Sequence, residues 1–321
     1  MNIMKYVSAN EMAKVWNLTG QQVRIYCRNG RIPGAIMQNG AWMVPEDAIR
    51  PTRKERSDPK IEELLPTAQL LAKQMTKKGF HGLYDYVQIN FAYSSGRLAS
   101  VRLTRRCTSD VYKKGKVKVG FEPLKVSDLI ETSNHFATLE YLMNRINEPL
   151  TEKLVKEVHR RLTQGTVDAR KMRVNPGEYR TANSKQEWRA KLSAEEIRHG
   201  LKQLIADYEA IPTKERREIL DFHVRFERLA PFDDYNGRVG RLIMFKECLR
   251  NDVMPFIIDD KRRTDYLEGI RRWDQDRSIL TDIVLDCQAR FEAQIALQRL
   301  RESGAMFDPI REEEEENYED D

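Results

Sequence analysis

Apolar residues recur every three or four positions over most of the chain after residue 60, which is the spacing of helices with one buried face. The run that contains Leu64, Leu70 and Met75 is typical, and few stretches show the alternation that strands require. The pattern predicts helices within 61–98 and at 125–147, 151–163, 193–209, 214–229, 240–251, 260–273 and 278–305. This density of helices predicts a mainly α fold, with an all-helical domain at residues 60–305.

The first fifty residues follow a shorter and self-contained pattern. Ser8 and Glu11 have the spacing of a capping box before one helix, and a second helix is predicted after a short turn. Asn39-Gly40 then separates two apolar runs, which is a strong hairpin signal. These elements predict a small winged helix-turn-helix domain at residues 1–50, followed by a charged, proline-bounded linker at 51–59.

One segment of the helical part, residues 171–182, is too rich in turn-forming residues for a helix. It contains Asn175, Pro176 and Gly177, which are residue types that favour turns. We predict a small β-hairpin flap here, beside the candidate site. The alternative interpretation is a surface loop between two helices.

Composition and cysteine spacing restrict the class of protein. No apolar run approaches the length of a membrane span, and the N-terminus lacks the apolar stretch of a signal peptide. We therefore expect a cytoplasmic protein without a membrane partner. The four cysteines are widely separated and form no Cys-x-x-Cys pair, which favours reduced thiols over disulfides or a zinc site.

Charge is distributed unevenly along the chain. The formal net charge is +5, yet eight acids lie within the last ten residues, and without them the net charge is +13. A basic body favours polyanionic partners such as nucleotides or DNA. The acidic segment at 306–321 is predicted to be a solvated, disordered tail, and the alternative is that it competes with DNA for the basic surface.

The strongest chemical signal is a polar loop that runs directly into an apolar helix near residue 236. The first N–H groups of a helix lack intrahelical partners and lie at the positive end of its dipole, so a phosphate is stabilised there. Arg238 and Arg241 are three residues apart on one helix face, so both can bind one polyphosphate. Asp234 can hold a divalent cation that bridges phosphate oxygens.

The N-terminal segment resembles the DNA-binding domains of the excisionase and MerR type. In that class the second helix enters the major groove and the hairpin wing contacts the DNA backbone. The resemblance implies DNA as a partner through residues 1–50, with Gln21, Gln22, Arg24 and Arg28 at the DNA, because Gln and Arg read base edges or phosphates. A winged module used for protein contacts is the alternative.

The polar loop and its flanking helices resemble the signature region of the Fic family of nucleotidyl transferases. That signature reads His-Pro-Phe-x-Asp/Glu-Gly-Asn-Gly-Arg-x-x-Arg, and residues 230–241 read Ala-Pro-Phe-Asp-Asp-Tyr-Asn-Gly-Arg-Val-Gly-Arg. The resemblance covers about residues 60–298 and implies an all-helical Fic-like fold. Fic proteins transfer AMP from ATP, or occasionally another phosphate-linked group, to a hydroxyl of a target protein, so ATP or another nucleotide with Mg²⁺ is the implied cofactor.

The resemblance also implies roles for individual positions. Asp234 matches the magnesium ligand, and Arg238 and Arg241 match the arginines on the phosphates. Asn236 and Gly237 match the loop that shapes the phosphate cradle and are counted with the nucleotide-binding residues. The implied aromatic positions are Tyr179 on the flap that holds a target segment, and Tyr266 and Trp273 at the wall around the base, where core packing is equally expected.

Two positions depart from the signature. Ala230 occupies the histidine position, and a methyl group cannot accept a proton from an attacking hydroxyl, a loss that typically costs about 10²–10⁴ in rate. Tyr235 occupies the position of the first glycine, so an aromatic ring crowds or reshapes the cradle. Neither His223, which lies roughly 10 Å away along the helix, nor the solvated Asp233 is expected to replace the base. No catalytic residue is therefore assigned.

A third departure concerns an inhibitory helix that many Fic proteins carry, with the pattern Ser/Thr-x-x-x-Glu-Gly/Asn. The corresponding stretch here begins at Ser95 and has Ala99 at the glutamate position. An inhibitory glutamate is useful only where there is an activity to inhibit, so its absence is consistent with the absence of the base. Both absences indicate either a naturally degenerate domain or an enzyme inactivated by two introduced alanines. Tyr235 is not an obvious engineered change, which favours natural divergence.

These observations support a catalytically inactive or impaired Fic-fold protein that acts as a DNA-binding transcription regulator or a partner-binding protein. The alternative is an active AMPylation-type transferase with a different base or phosphorylated donor, or an inactivated form of such an enzyme. A third hypothesis is pure interaction, in which the helical body forms a homodimer or binds a protein target or a functional Fic partner.

Overall fold

The computed structural model describes residues 5–28, 32, 34–38, 41–50, 61–76, 82–117, 124–181 and 192–303. The chain divides into two compact units, Met1–Asp58 and Pro59–Asp321, and each is described by itself. The predicted linker at 51–59 and the predicted acidic tail at 306–321 lie outside the described residues. Within the described part, no helix is both long enough and apolar enough to cross a membrane.

The first unit contains two helices and a small antiparallel sheet. Strand β3 lies between β1 and β2, and Ile36 pairs with Met43 across the β2–β3 pair. Both predicted helices and the two paired strands are present, whereas the turn residues Asn39-Gly40 lie outside the described residues. The elements are β1 (Tyr6–Ser8), α1 (Ala9–Val15), α2 (Gly20–Arg28), β2 (Ile36–Gln38) and β3 (Ala41–Pro45).

Local sequence explains where α1 begins and how this unit is held together. The N–H of Glu11 donates to Ser8 Oγ at 3.2 Å, and the N–H of Ser8 donates to Glu11 Oε2 at 2.8 Å, which completes the predicted capping box. Met12, Val23 and Val44 are buried together, so both helices pack against β3. This core shares no residue with the core of the second unit.

Among the residues that the structure describes, the second unit contains eleven α-helices and no strand, which confirms the predicted mainly α fold. Short 3₁₀ turns occur at Ile61–Glu63 and Asp260–Arg262. The helices are α3 (Pro66–Thr76), α4 (Leu83–Leu98), α5 (Arg105–Lys114), α6 (Val126–Met143), α7 (Glu152–Thr163), α8 (Val167–Arg170), α9 (Ala194–Glu209), α10 (Arg216–Leu229), α11 (Asn236–Arg250), α12 (Arg263–Arg272) and α13 (Ser278–Glu302).

Helix α11 is the centre of this unit. Every residue from Arg238 to Leu249 is buried, and α11 contacts α3, α4, α6, α7 and α10. A helix that is buried on all sides can contain charged residues only where partners neutralise them. The two signature arginines lie in its first turns, so their partners decide what the site can bind.

The segment 171–181 lies against the loop before α11, as predicted, but its described residues contain turns and no strand. Its backbone groups bond to that loop instead of to a paired strand, since the N–H of Arg180 donates to Pro231 O at 2.9 Å. The final residue of the predicted hairpin flap, Ala182, lies outside the described part of the chain.

Candidate functional site

A cleft of about 470 Å³ lies beside the first turns of α11, which is a volume within the range of small-molecule sites. Its walls are the C-terminal end of α4, the C-terminal end of α10, the loop that follows α10, the start of α11 and one face of α12. Four lining side chains are arginines and two are carboxylates, so the lining suits an anionic ligand. The lining residues are Leu98, Ala99, Ser100, Glu227, Asp234, Tyr235, Gly237, Arg238, Arg241, Arg263, Tyr266, Leu267 and Arg271.

Arg238 is almost fully buried and is held by protein groups on several sides. Its guanidinium forms a close ion pair with Glu131 of α6, and its Nη2 donates to Asp234 Oδ1 at 3.3 Å. The same group lies 3.4 Å from the centre of the Tyr235 ring, in a cation–π contact. Burial alone would lower the pKa of Arg238, but the neighbouring carboxylates of Glu131 and Asp234 hold that pKa above its usual value.

Glu131 is the main site residue that sequence reasoning missed. Its Oε2 also accepts a hydrogen bond from Tyr235 Oη at 3.1 Å, so one carboxylate binds both Arg238 and the tyrosine that replaces the signature glycine. A signal was present, because Glu131 and His135 lie one turn apart on the buried face of α6. A carboxylate at a core position indicates a buried cation nearby.

Arg241 is bound by the end of α4. Its Nε donates to Ser95 Oγ at 3.1 Å and its Nη2 donates to Ser95 O at 3.0 Å. Ala99, at the position of the missing inhibitory glutamate, lines the cleft and adds no charge to it. The helix with the degenerate inhibitory pattern therefore still contacts the second signature arginine, through a serine rather than a carboxylate.

Asp234 is the most exposed carboxylate of the loop, with 63% of its side chain accessible. Its Oδ1 accepts the N–H of Tyr235 at 2.6 Å. Among the described residues there is no cluster of three side chains that could ligate a metal. An Mg²⁺ ion at Asp234 would therefore take its other ligands from phosphate oxygens and water, which is a common arrangement for this ion.

Asn236 and Gly237 shape the loop. The Asn236 side chain is buried, accepts the N–H of Phe232 at 3.0 Å and donates to Phe232 O at 2.9 Å, so it closes the loop and does not line the cleft. A Cβ atom at Gly237 would lie 2.9 Å from Arg241 Nη1 and 3.0 Å from Glu227 Oε1. Only glycine fits there without displacing these side chains.

Ala230 ends α10 in a left-handed conformation, with φ 45° and ψ 66°, and is 1% exposed. Its carbonyl accepts a hydrogen bond from Arg180 Nε at 2.7 Å. No histidine of the described residues lines the cleft. Ala230 therefore ends the helix and turns the chain into the loop, but its side chain cannot accept a proton.

His223 is a buried structural residue, as expected. It is 0% exposed, its Nε2 lies 2.6 Å from Tyr266 Oη, and burial lowers its pKa to about 3. His159 is equally buried and stacks on Phe232, and burial lowers its pKa to about 3 as well. Both rings are therefore neutral. His159 packs against the loop through Phe232, whereas His223 packs against Tyr266 of α12.

Asp233 differs from the expectation of a solvated carboxylate. It is partly buried, and this burial raises its pKa although the backbone groups of Asn175 and Thr181 and the charge of Arg180 act in the opposite direction. Asp233 is not one of the residues that line the cleft. Its position is on the side of the loop that faces the 171–181 segment.

The three predicted aromatic positions have different environments. Tyr179 is buried, and its Oη donates to Glu152 Oε1 at 2.7 Å, so its side chain anchors the segment and is not displayed to a target. Tyr266 lines the cleft, as the wall position requires. Trp273 is a core residue outside the cleft lining, and its Nε1 donates to Asp221 Oδ1 at 3.0 Å.

The predicted DNA-reading residues lie on α2 of the first unit. Gln21 is exposed. Gln22 Oε1 accepts the N–H of Thr19 at 2.9 Å and so caps the helix start, while Arg24 Nη1 donates to Asn10 Oδ1 at 2.9 Å. The side chain of Arg28 lies outside the described residues. Two of these side chains thus have contacts within the unit that DNA would have to replace.

The loop, the helix that it precedes and the arginine-lined cleft define a domain of the Fic class. The sequence profile of the Fic/DOC family matches residues 149–248, and this part of the chain is a Fic/DOC family domain. No match is found among curated proteins.

Solved structures with a similar fold include Fic proteins. A Fic-domain-containing signaling protein from Bacteroides thetaiotaomicron is 19% identical, with a TM-score of 0.59 over 76% of this chain and 93% of that chain. A Fic family protein from Desulfovibrio desulfuricans is 20% identical, with a TM-score of 0.54 over 78% of this chain and 74% of its own. Fic-1 from C. elegans is 17% identical, with a TM-score of 0.56 over 75% of this chain and 69% of its own. At these identities the likeness is one of fold.

Proposed function

We propose that the second unit binds a phosphorylated ligand of the nucleotide type, with Mg²⁺, and does not transfer AMP by base-assisted attack of a hydroxyl. The observation that carries this proposal is the cleft, where four arginines converge next to a loop whose signature histidine position is a buried alanine. Binding needs the arginines and Asp234, whereas transfer also needs a group that accepts a proton.

The residues around position 230 support the proposed absence of AMP transfer. A methyl side chain cannot act as a base, and His159 and His223 are buried, neutral and bonded within the protein. Burial raises the pKa of Asp233, but this carboxylate is not part of the cleft lining. Loss of the base alone typically reduces the rate by about 10²–10⁴.

Titration calorimetry with ATP in the presence and absence of Mg²⁺ tests ligand binding. We expect binding that Mg²⁺ strengthens, and Asp234→Asn should remove the Mg²⁺-dependent part because it weakens the charge that holds the cation. No heat of binding with ATP, GTP, UTP or CTP would contradict the proposal.

Incubation with labelled ATP, GTP, UTP or CTP tests the absence of transfer. We expect no label on any protein, including the chain itself, and we expect Ala230→His combined with Tyr235→Gly to restore labelling. Transfer by the unchanged protein that Asp234→Ala abolishes would instead establish an active transferase with a different base or donor.

We further propose that the first unit binds duplex DNA, so that the whole chain acts as a DNA-binding regulator. Two helices followed by an antiparallel hairpin support this proposal, together with the exposed Gln21 on the second helix. The basic surplus of residues 1–56, nine basic against four acidic side chains, should make binding steeply dependent on salt.

Electrophoretic shift with genomic fragments tests DNA binding. We expect a preferred fragment and a loss of that preference in Gln21→Ala, with Arg24→Ala weakening binding to all fragments alike. The exposed residue Lys14 on α1 provides a control variant, Lys14→Ala. Equal affinity for all fragments, unchanged in both α2 variants, would contradict the DNA role.

A further inference from the structure

We propose that the phosphate chain of the ligand is bound mainly by Arg263 and Arg271 of α12 rather than by the two signature arginines. This inference rests on the proposed function, since it names the residues through which the same cleft recognises its ligand. The ligand class is a compound with two or more linked phosphates, such as a nucleoside diphosphate or triphosphate.

The first signature arginine already has its charge neutralised inside the protein. Arg238 is paired with Glu131, and only 8% and 10% of these two side chains are exposed. Its remaining contacts go to Asp234 and to the face of the Tyr235 ring. A phosphate could take this guanidinium only by displacing a buried carboxylate, which would then lie unpaired in the core.

The second signature arginine is restricted by the end of α4. Two of its donor groups, Nε and Nη2, bond to Ser95 Oγ and Ser95 O. The Ser95 carbonyl lies in the last turn of α4 and has no intrahelical donor, so Arg241 also satisfies this helix end. The remaining terminal nitrogen, Nη1, lies close to Gly237. Arg241 therefore contributes charge to the cleft but few free donors.

Helix α12 presents two arginines to the same cleft with weaker internal partners. Arg263 Nε donates to Leu98 O at 3.1 Å, which fixes the side chain, and no carboxylate of the described residues pairs with its terminal nitrogens. Arg271 is 3.6 Å from Glu268, and both of these side chains are more than 40% exposed. An exposed pair of this kind is weak and is readily exchanged for a phosphate.

The spacing along α12 places both arginines on the cleft side of the helix. Arg263, Leu267 and Arg271 follow one another at intervals of four residues, so they form one stripe of the helix, and all three line the cleft. The two arginines are separated by roughly 12 Å along the helix axis. One phosphate is too short for this span, whereas a chain of linked phosphates, together with the reach of the two long arginine side chains, can contact both.

Matched arginine variants on α12 test the inference by titration calorimetry with Mg²⁺–ATP and with inorganic triphosphate. Arg263→Ala and Arg271→Ala should each weaken binding about 10-fold or more, because a hydrogen bond to a charged group is lost. Arg262→Ala and Arg272→Ala are the controls, since these neighbours pair with acidic residues and do not line the cleft. They should change the affinity by less than about 2-fold.

Two further variants distinguish an effect of charge on ligand binding from a loss of folded protein. Arg263→Lys keeps the positive charge and should retain more affinity than Arg263→Ala, with thermal melting checking that both variants are folded. Glu131→Gln removes the charge that neutralises Arg238 and should strengthen binding of both ligands, because it releases that guanidinium toward the cleft.

The outcomes distinguish this inference from the proposed function. If the unchanged protein binds ATP and triphosphate but folded Arg263→Ala and Arg271→Ala bind equally well, the inference is overturned and nucleotide binding stands. If AMP binds as tightly as ATP, the phosphate chain is not what α12 recognises, and the inference is also overturned. If the unchanged protein binds neither ligand, both the function and the inference are wrong.

Discussion

Tyr235 adopts a backbone conformation with φ 66°, in the left-handed region that few side chains other than glycine occupy. Contacts of its side chain compensate for this strain. The ring is 3% exposed and lies against the Arg238 guanidinium, and the hydroxyl donates to Glu131. The residue that crowds the phosphate cradle is therefore also part of the structure that neutralises Arg238.

Glycine is usually the most favourable residue at a position with positive φ, but here we expect Tyr235→Gly to destabilise the protein. Tyr235→Gly relieves about 1–2 kcal/mol of backbone strain but loses a buried aromatic ring, a change that typically costs about 3–5 kcal/mol. Tyr235→Phe keeps the ring and loses only the hydrogen bond to Glu131, for a cost of about 1–2 kcal/mol. Urea denaturation measures both, and a Tyr235→Gly protein as stable as Tyr235→Phe would contradict this account.

Three buried histidines of the second unit share another residue-scale property. His135, His159 and His223 are at most 3% exposed, and burial lowers the pKa of each to about 3. Neither ring nitrogen of His135 has a hydrogen-bond partner among the residues that the structure describes, and the nearby charges of Arg241 and Arg238 lower its pKa further. In the unfolded chain each ring would accept a proton near pH 6.5.

The unfolded state therefore binds more protons than the folded state between about pH 6.5 and 3, so stability decreases as the pH falls through this range. Three groups should lower the free energy of unfolding by roughly 4 kcal/mol between pH 6 and pH 5. Urea denaturation at the two pH values measures this loss. His135→Leu should reduce the loss by about one third, whereas the exposed His199→Gln should not change it. A stability that is independent of pH here would contradict the burial of these rings.

At the scale of elements, the contact between α4 and α11 fixes the second signature arginine. The four last carbonyls of α4 have no intrahelical donors, and two of them, Ser95 O and Leu98 O, accept hydrogen bonds from Arg241 and Arg263. The other two accept backbone N–H groups of the following turn. The end of α4 thus links α11 and α12 across the cleft.

Ser95→Ala should weaken this link. The substitution leaves Arg241 Nε without its acceptor in a buried place, and the expected loss is about 1–3 kcal/mol of the free energy of unfolding. The adjacent Ser94 is also buried, while the hydrogen bonds of Arg241 to this end of α4 go to Ser95, so Ser94→Ala is a matched control. Chemical denaturation compares the two, and equal losses would show that the Ser95 hydroxyl does not hold the arginine.

At the scale of the whole molecule, the chain combines two units with separate hydrophobic cores. A chain that begins at Pro59 retains every described residue of the larger core and of the cleft. We expect it to keep its thermal midpoint and its affinity for Mg²⁺–ATP within about 2-fold, and to lose DNA binding. Aggregation of this shortened chain, or loss of nucleotide affinity, would show that the second unit depends on the first.

The sequence predicted the architecture well because helical periodicity is a local property. The helices around the signature were predicted within a few residues of their bounds, and the capping box at Ser8 and Glu11 formed as its spacing required. Helix α5 was not predicted, since it is short and largely charged. Tyr179 lies on the predicted flap segment but its hydroxyl bonds to Glu152, and Trp273, for which the base wall and core packing were equally expected, packs in the core. The motif alone does not state where a side chain points.

What the sequence determined by itself is a Fic-type loop that ends at the start of a buried helix and lacks a proton acceptor at Ala230. What only the tertiary structure decided is how its arginines are used. Glu131 and Arg238 are 107 residues apart, and Ser95 and Arg241 are 146 residues apart, so no local pattern brings them together. Long-range packing brings these partners to the signature arginines, because buried charges and the unpaired carbonyl groups at a helix end require partners. The same packing leaves the arginines of α12 facing the cleft.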